Sequence, residues 1–317
     1  MTRPEPFLRW AGGKRQLLPL LLGAFPADFD LTRHRYFEPF VGGGALTWAL
    51  ASSAAGQSLK PTKRKTGRPL VLNDVNDDLI NVYRAVQGDV ASLTARLTVL
   101  EVDTSEAAYY AARAATPSDP IERAARTIFL NKLSFNGLHR VNAKGAFNVP
   151  YGKAAKDSIY SAENLRACSA WLSRAEIRSG GYTTAVADAK SGDVVYFDPP
   201  YIPLTVTSNF SKYAKDDFLE MDQWALAGVV RGLIDRGVQV IFSNSNTDLT
   251  RRIFGEHLNL YAVSATRSIG ASSSTRKRVE EVLGISYAPS LASDPAMLVA
   301  QRRLSAVAQR PPTKQHR

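Results

Sequence analysis

Hydrophobic positions along the chain alternate between short unbroken runs and longer, spaced ones. Tyr36-Phe37, Leu70-Val71-Leu72, Val194-Val195-Tyr196-Phe197 and the stretch from Val238 to Phe242 are short apolar runs with strand character. Each ends at small, acidic or glycine-containing residues and leads into a segment that can be helical. Such alternation predicts an α/β sandwich built on a largely parallel sheet. Ligands of these sheets bind beyond the carboxyl ends of the strands, where this chain places its polar and glycine residues.

Between Asn76 and Tyr160 the pattern changes. Asn76–Gln87 and Ile121–Leu133 read as helices, with Leu79, Ile80, Tyr83 and Val86 on the apolar face of the first and Ile128, Phe129 and Leu133 on that of the second. Asn136 to Gly152 is polar and contains glycine, as a hairpin or a long loop does. The expected organisation is an α/β domain made of residues 1–75 and 161–288, with a mostly helical insertion over 76–160. Gln57–Pro69 and the tail 289–317 combine proline with unpaired basic charge and predict mobile loops. Because Gln57–Pro69 precedes a strand, it is expected at the amino ends of the sheet, away from the ligand side. No internal repeat is found.

With 317 residues, 44% of them hydrophobic and 22% charged, the chain is long enough for a substantial core and has the composition of a soluble globular protein. Forty basic residues against 29 acidic ones give +11 and a pI near 9.8, which suggests a polyanionic partner and excludes acidic, disordered scaffolds. The distribution of charge changes that picture. Residues 57–69 and 301–317 each carry +5, so two loops hold 10 of the 11 charges. Within the remainder, 121–160 has seven basic residues and two acids, a local basic patch beside aromatic side chains. A single cysteine, Cys168, excludes an internal disulfide and a thiolate zinc cluster. His34, His139, His257 and His316 lack ligand spacing, so no metal site is expected. The N-terminal MTRPEPFLRW lacks the apolar core of a signal peptide, and the longest apolar run, Leu17 to Phe25, is far short of the roughly 20 residues of a membrane helix. The expected location is cytoplasmic.

Four segments carry candidate chemistry. In YFEPFVGGGALTWAL (36–50) a strand meets Gly42-Gly43-Gly44 and then a helix, an arrangement that lets a ligand approach the backbone; a tight turn with no ligand has the same pattern. Asp74 ends the next strand, where a carboxylate can accept hydrogen bonds from ribose hydroxyls or, more simply, cap the following helix. In VVYFDPPYIPL (194–204) an apolar strand runs into Asp198-Pro199-Pro200-Tyr201. Two prolines remove two backbone donors, so the carbonyls here need not join a ladder. This suits methylation of an exocyclic amine. The adenine N6 lone pair is delocalised into the ring; acceptors on its two hydrogens, the Asp198 carboxylate and the Pro199 carbonyl, favour a more tetrahedral and more nucleophilic nitrogen. Tyr201 offers a stacking face, and the plain alternative is a strand end with a solvated Asp. FLRWAGGK (7–14) groups a flat aromatic, two glycines and a lysine, or simply anchors the N-terminus.

These segments, in this order, resemble the Dam family of DNA adenine-N6 methyltransferases: FLRWAGGK, FEPFVGGGA, NDVNDDLI and DPPY each match a family motif. FLNKLSFNGLHRVNAKGAFNVPYGK (129–153) is similar to the family's DNA-contacting hairpin region, and RSIGASSSTRKRVEEVL (267–283) to its C-terminal block. The resemblance runs from Phe7 to about Tyr287. It implies a Rossmann-like S-adenosylmethionine methyltransferase domain with a helical DNA-recognition insertion.

The resemblance also implies roles. Trp10, Lys14, Phe40, Gly42, Asp74 and Asp198 match cofactor-binding positions, the cofactor being S-adenosylmethionine, released as S-adenosylhomocysteine. Asp198, Pro199 and Tyr201 match the catalytic motif. Arg9, Phe135, Asn136, Leu138, Arg140, Pro150 and Lys153 match DNA-contacting positions, with Phe135 standing where tyrosine is usual, so the aromatic wedge lacks its hydroxyl. The implied substrate is double-stranded DNA, with an adenine rotated out of a short site at an unstacking cost of about a few kcal/mol. GATC is the leading site, and arginine at 9 or 140 can read guanine bidentately. Ser272–Ser274 with Arg276, Lys277 and Arg278 reads as a phosphate clamp. Core packing for Phe135 and Leu138 and simple phosphate contact for Arg140 and Lys153 are the plain alternatives. Cytosine-N4 methylation and a catalytically silent DNA-binding protein of this fold are the competing functions. A cognate restriction endonuclease acting on the same site is the one protein partner the resemblance brings in.

Overall fold

A computed structural model describes residues 2–10, 12, 14–59, 67–152, 158–202, 218–266, 278–288 and 302–303. The chain forms two compact units: Met1–Leu22 with Asp28–Tyr196, and Gly23–Ala27 with Phe197–Arg317.

The first unit contains α1 (Leu18–Gly23), β1 (Tyr36–Glu38), α2 (Ala45–Ala51), α3 (Ala54–Gln57), β2 (Leu70–Asp74), α4 (Asp77–Gly88), α5 (Val90–Glu101), α6 (Glu106–Ala114), α7 (Pro120–Leu133), α8 (Ala162–Leu172), β3 (Ala175–Ser179), α9 (Tyr182–Ala185) and the start of β4 (Val194–Phe197). Its strands lie in the order β3-β2-β1-β4, all parallel, with Tyr36 facing Leu70 on one side and Val194 on the other. Leu70, Val71 and Leu72 are buried on both faces, as an unbroken apolar run in a central parallel strand requires. The strand order reverses between β1 and β4, which makes their carboxyl ends a switch point. This is the parallel α/β arrangement that the alternating apolar runs predict, and the Rossmann-like one that the family resemblance implies.

The helices of 76–160 are delimited by capping chemistry. Asn76, Asp89, Ser105 and Asp119 stand before α4, α5, α6 and α7, and each side chain accepts a hydrogen bond from an N–H of the first turn. Pro120 follows Asp119 at the first position of α7, where its missing N–H costs nothing. Leu79, Ile80, Val82, Tyr83 and Val86 bury one face of α4, which packs on α7 and α8. Residues 140–148 form the expected hairpin, with Val141 opposite Phe147 and Asn148 N–H donating to the Arg140 carbonyl.

The second unit holds α10 (Glu220–Asp235), β5 (Gln239–Ser245), α11 (Asp248–Phe254), β6 (Asn259–Thr266), β7 (Arg278–Ile285) and β8 (Arg302–Arg303). Here the sheet departs from the expected parallel pattern: β7 runs antiparallel to both β5 and β6, and β8 antiparallel to β6. The apolar runs used to read the fold show where strands lie but carry no direction, and β6 and β7 were not among them. Arg302–Arg303 is the one part of the tail that is described. Of Gln57–Pro69, residues 60–66 lie outside the described residues. Its flanks are fixed at the amino end of β3, where Arg68 Nη1 donates to the Ala175 carbonyl (2.6 Å) and Arg174 Nε to that of Leu59 (3.1 Å). Among the described residues no helix is long and apolar enough to cross a membrane.

Phe129, fully buried in α7, lies on the helix that packs against α4, α5 and α6. Phe129→Ala is expected to lower stability by about 3–5 kcal/mol in urea denaturation; a loss under about 1 kcal/mol would show that α7 is not part of the core.

Candidate active site

At the carboxyl end of β1 the chain turns through Pro39-Phe40-Val41 into three glycines. Gly42 and Gly44 have φ of +48° and +68°, a region L residues with a β-carbon avoid. Contacts add a second constraint: a Cβ at Gly44 would lie 2.6 Å from the Tyr83 hydroxyl, and one at Gly42 3.0 Å from the Trp10 ring. Backbone groups of the loop are claimed by neighbours. Asp74 Oδ2 accepts from Gly42 N–H (3.0 Å), Tyr83 Oη donates to the Gly42 carbonyl (3.0 Å), and Trp48 Nε1 donates to that of Gly43 (2.8 Å).

Asp74 is not the helix cap. Asn76 caps α4, and its own N–H donates to Asp74 Oδ1 (3.0 Å), so each carboxylate oxygen accepts from a backbone N–H. Burial pushes the Asp74 pKa up, and the N–H donors oppose that shift. Asn73, fully buried, donates to the carbonyls of Pro39 (3.0 Å) and Gly180 (2.9 Å), tying the ends of β1, β2 and β3 together. Phe40 stacks on Tyr182 at 5.3 Å, and buried Lys14 donates to the Gly12 carbonyl (2.7 Å). Glu38, also buried, accepts from Tyr36 Oη (2.9 Å) and Thr47 Oγ1 (2.5 Å) and so braces α2. A carboxylate and an aromatic face at these strand ends suit a ligand with vicinal hydroxyls and a flat heteroaromatic ring.

The same unit presents the DNA-contacting candidates. Asn131 clamps the N-terminal segment at two points: its Oδ1 accepts from Arg9 N–H (2.8 Å) and its Nδ2 donates to the Arg9 carbonyl (2.6 Å). Its Nδ2 also reaches the Gly137 carbonyl (3.4 Å), in the short 3₁₀ turn Phe135–Gly137. Gly137 is a glycine of necessity, since a Cβ there would come within 2.5 Å of that of Arg9. Asn136 is the one non-glycine residue with positive φ (55°) among those described. The turn leaves Phe135 50% exposed and Asn136 exposed between buried Ser134 and Gly137, which removes core packing as the role of Phe135. Leu138 is half-buried, and Pro150 is exposed with its carbonyl holding Phe135 N–H (3.0 Å). Arg140 is exposed, but Nε and Nη2 bind the Oδ1 (2.7 Å) and carbonyl (3.2 Å) of Asn148 across the hairpin. Lys153, and the Ser272–Lys277 part of the phosphate clamp, lie outside the described residues.

In the second unit, Asp198 leaves β4 half-buried, and its Oδ1 accepts from Ser243 Oγ (2.8 Å) on β5. Buried amides fix the backbone that follows. Asn244 Oδ1 accepts from Ile202 N–H (3.0 Å), Gln223 Nε2 donates to the Pro200 carbonyl (3.0 Å), and Asn244 Nδ2 donates to Gln223 Oε1 (3.3 Å). Pro199 is buried, and among the described residues nothing donates to its carbonyl. Tyr201 Oη donates to Glu281 Oε2 (2.7 Å) on β7. Ser243, Asn244, Gln223, Glu281 and Asn131 escaped the sequence reading. The signal for two of them was present in SNSN (243–246), polar residues at the end of an apolar strand, as in the other motifs.

A family model described as D12 class N6 adenine-specific DNA methyltransferase matches residues 10–269. The chain is 37% identical over 291 residues to the type II methyltransferase M1.LlaDCHI of Lactococcus lactis subsp. cremoris, an alignment covering 89% of this chain and 95% of the relative. It is 35% identical to the type II methyltransferase M.MjaIII of Methanocaldococcus jannaschii, over 89% of this chain and 99% of the other. With the DNA adenine methylase of Escherichia coli K12 it shares 33% identity, over 92% and 99% of the two chains.

Removing the Asn244 amide leaves the buried N–H of Ile202 and that of Ser245 without their acceptor. Asn244→Ala is expected to cost roughly 1–3 kcal/mol for each group so orphaned. Urea denaturation reads it, and a change within about 0.5 kcal/mol, the scale of a surface substitution, would mean the amide does not hold the turn.

Proposed function

The chain belongs to the D12 class of N6 adenine-specific DNA methyltransferases, and on that premise we propose that it carries a methyl group from S-adenosylmethionine to N6 of an adenine rotated out of a short duplex site. The observation that carries this reading is the turn after β4. Its backbone is held through Pro200 and Ile202, its carboxylate is oriented by Ser243, and the Pro199 carbonyl accepts nothing among the described residues. Two acceptors, fixed in advance and unable to rotate away, are what an aromatic amine needs from an enzyme.

Asp198 and the Pro199 carbonyl accept the two N6 hydrogens, drawing the nitrogen toward a tetrahedral form whose lone pair is available. The Asp198 carboxylate is also the route by which N6 sheds its surplus proton once alkylated. Tyr201, with its hydroxyl held by Glu281, stacks on the base. When bound, S-adenosylmethionine supplies the electrophilic methyl group and departs as S-adenosylhomocysteine. Asp74 would take the ribose hydroxyls, Phe40 and Gly42 would border the nucleoside, and Trp10 and Lys14 the amino-acid end; the donor set of these strand ends fits that molecule.

The partner is double-stranded DNA. Phe135 is the apolar wedge that fills the place of the displaced adenine, and Arg9, Asn136, Leu138, Arg140, Pro150 and Lys153 contact the site. GATC is the proposed sequence, on the similarity of residues 129–153 to the family's hairpin. Arg140 keeps Nη1 for a base or phosphate while Asn148 holds the rest of the guanidinium. In this reading residues 1–75 and 161–288 are the catalytic domain, 76–160 recognises the target, and 289–317 is a basic tail. The enzyme works in the cytoplasm, where the DNA is.

Labelled S-adenosylmethionine and duplex DNA are expected to yield labelled N6-methyladenine. Asp198→Ala should lower turnover by at least about 10²-fold while duplex affinity stays within a few-fold. Turnover retained by Asp198→Ala would refute the mechanism.

A further inference from the structure

His139 lies between two residues assigned to DNA, Leu138 and Arg140, yet it is half-buried, its ring packed against two aromatic side chains. The imidazole stacks on Trp10, with centroids 5.1 Å apart and planes at 30°. It meets Phe147, which faces Val141 across the hairpin, at 5.6 Å and 63°. Trp10 in turn closes over the glycine loop, its ring lying where a Cβ at Gly42 would come within 3.0 Å. The imidazole therefore stands in one aromatic line from the glycine loop to the hairpin.

A polar contact sets its orientation. Asn76 Oδ1 is committed to Leu79 N–H, so the Asn76 Nδ2 donor is what faces His139 Nδ1, at 3.5 Å. An imidazole neutral at Nδ1 can accept from that amide, which sets the plane in which the ring lies. Burial holds its pKa below the ordinary histidine value; Asp78 on α4 is the charged group that opposes this, and Trp10, Asn76 and Phe147 are uncharged. Asn76 also donates its N–H to Asp74, so the imidazole touches both the stack on the glycine loop and the residue that holds Asp74.

We propose that His139 is a positioning residue that couples the two ligands of this enzyme: by packing on Trp10 and Phe147 together, it allows the hairpin its DNA-reading position only when the glycine loop is in its cofactor-bound arrangement, and the reverse. Aromatic pairs at these separations favour particular geometries, so a shift of Trp10 is passed to the hairpin and not absorbed by loose packing. Reciprocity follows from linkage: a duplex that tightens the nucleoside must itself be bound more tightly in its presence. The inference rests on the reading that Trp10 borders S-adenosylmethionine and the hairpin borders DNA.

Calorimetry with S-adenosylhomocysteine, with and without a duplex carrying the methylated site, tests it without turnover. The full-length protein is expected to bind S-adenosylhomocysteine at least about 5-fold more tightly when DNA is present. His139→Ala should bring that ratio to within about 2-fold of unity while each ligand alone still binds, and His139→Phe, which keeps the stacking face, should retain it. Should His139→Ala melt below the assay temperature, His139→Leu, apolar but without an aromatic face, takes its place and should also lose the coupling. An unchanged ratio in the variant, or no coupling in the parent protein, overturns the inference while leaving the methyltransferase reading intact. Failure of the parent protein to bind S-adenosylhomocysteine at all overturns both.

Discussion

A turn that binds a base or a nucleoside has to keep its shape when empty, and here buried amide and carboxylate side chains supply that rigidity. Asn244 is the clearest case. It is fully buried at the end of β5, and its carbonyl oxygen accepts from Ile202 and Ser245 while its NH₂ donates to Gln223. A buried amide is costly unless its groups are satisfied, so the same hydrogen bonds that make Asn244 tolerable also fix the Asp198–Tyr201 turn. Asn73 and Asp74 do the corresponding work at the ends of β1, β2 and β3. Asp74 bears an electrostatic cost for it, visible in its raised pKa. A carboxylate kept there at that cost is suited to donors that arrive with a ligand.

The elements proposed to face DNA are held differently. Arg9 belongs to a segment with neither helix nor strand, and Phe135 and Asn136 to a single 3₁₀ turn. Both rest on Asn131, whose amide bonds the backbone of Arg9 on two sides and reaches the Gly137 carbonyl. One buried side chain on a long, well-packed helix thus fixes the spacing of Arg9, the arginine proposed to read a base, and an exposed aromatic. Arg140 is held instead by its hairpin partner Asn148, a contact on the surface that a phosphate or base can exchange for its own. Reading residues on a rigid mount and others on exchangeable contacts is a workable division for an enzyme that must find a site and then grip it.

Much of this was legible in the sequence because it rests on local chemistry. The unbroken runs Leu70-Val71-Leu72 and Val194 to Phe197 have the character of buried strands, and the apolar spacing of Asn76–Gln87 and Ile121–Leu133 that of helices. The three glycines allowed close backbone approach, and the two prolines of Asp-Pro-Pro-Tyr left carbonyls outside a ladder. What the sequence did not reveal depends on long-range contact. Asn131 and Glu281 lie inside segments that resemble the family and Gln223 on an ordinary helix, but the importance of each comes from a distant partner, Arg9, Tyr201 and Pro200 respectively. The antiparallel run of β7 between β5 and β6 was hidden for the same reason, since direction belongs to the pairing and not to the strand. Asp74 shows the intermediate case: a carboxylate after a strand was legible, but that it holds Gly42 while Asn76 caps the helix was not.

The most direct test of the account is the chemical identity of the base this protein modifies. Genomic DNA from cells expressing the chain, in a host lacking adenine methylation, is sequenced by a method that resolves modified bases. The account predicts N6-methyladenine on both strands of one short duplex sequence, with GATC the sequence proposed. N4-methylcytosine in place of methyladenine, or DNA left unmodified by a folded and DNA-binding protein, would contradict it.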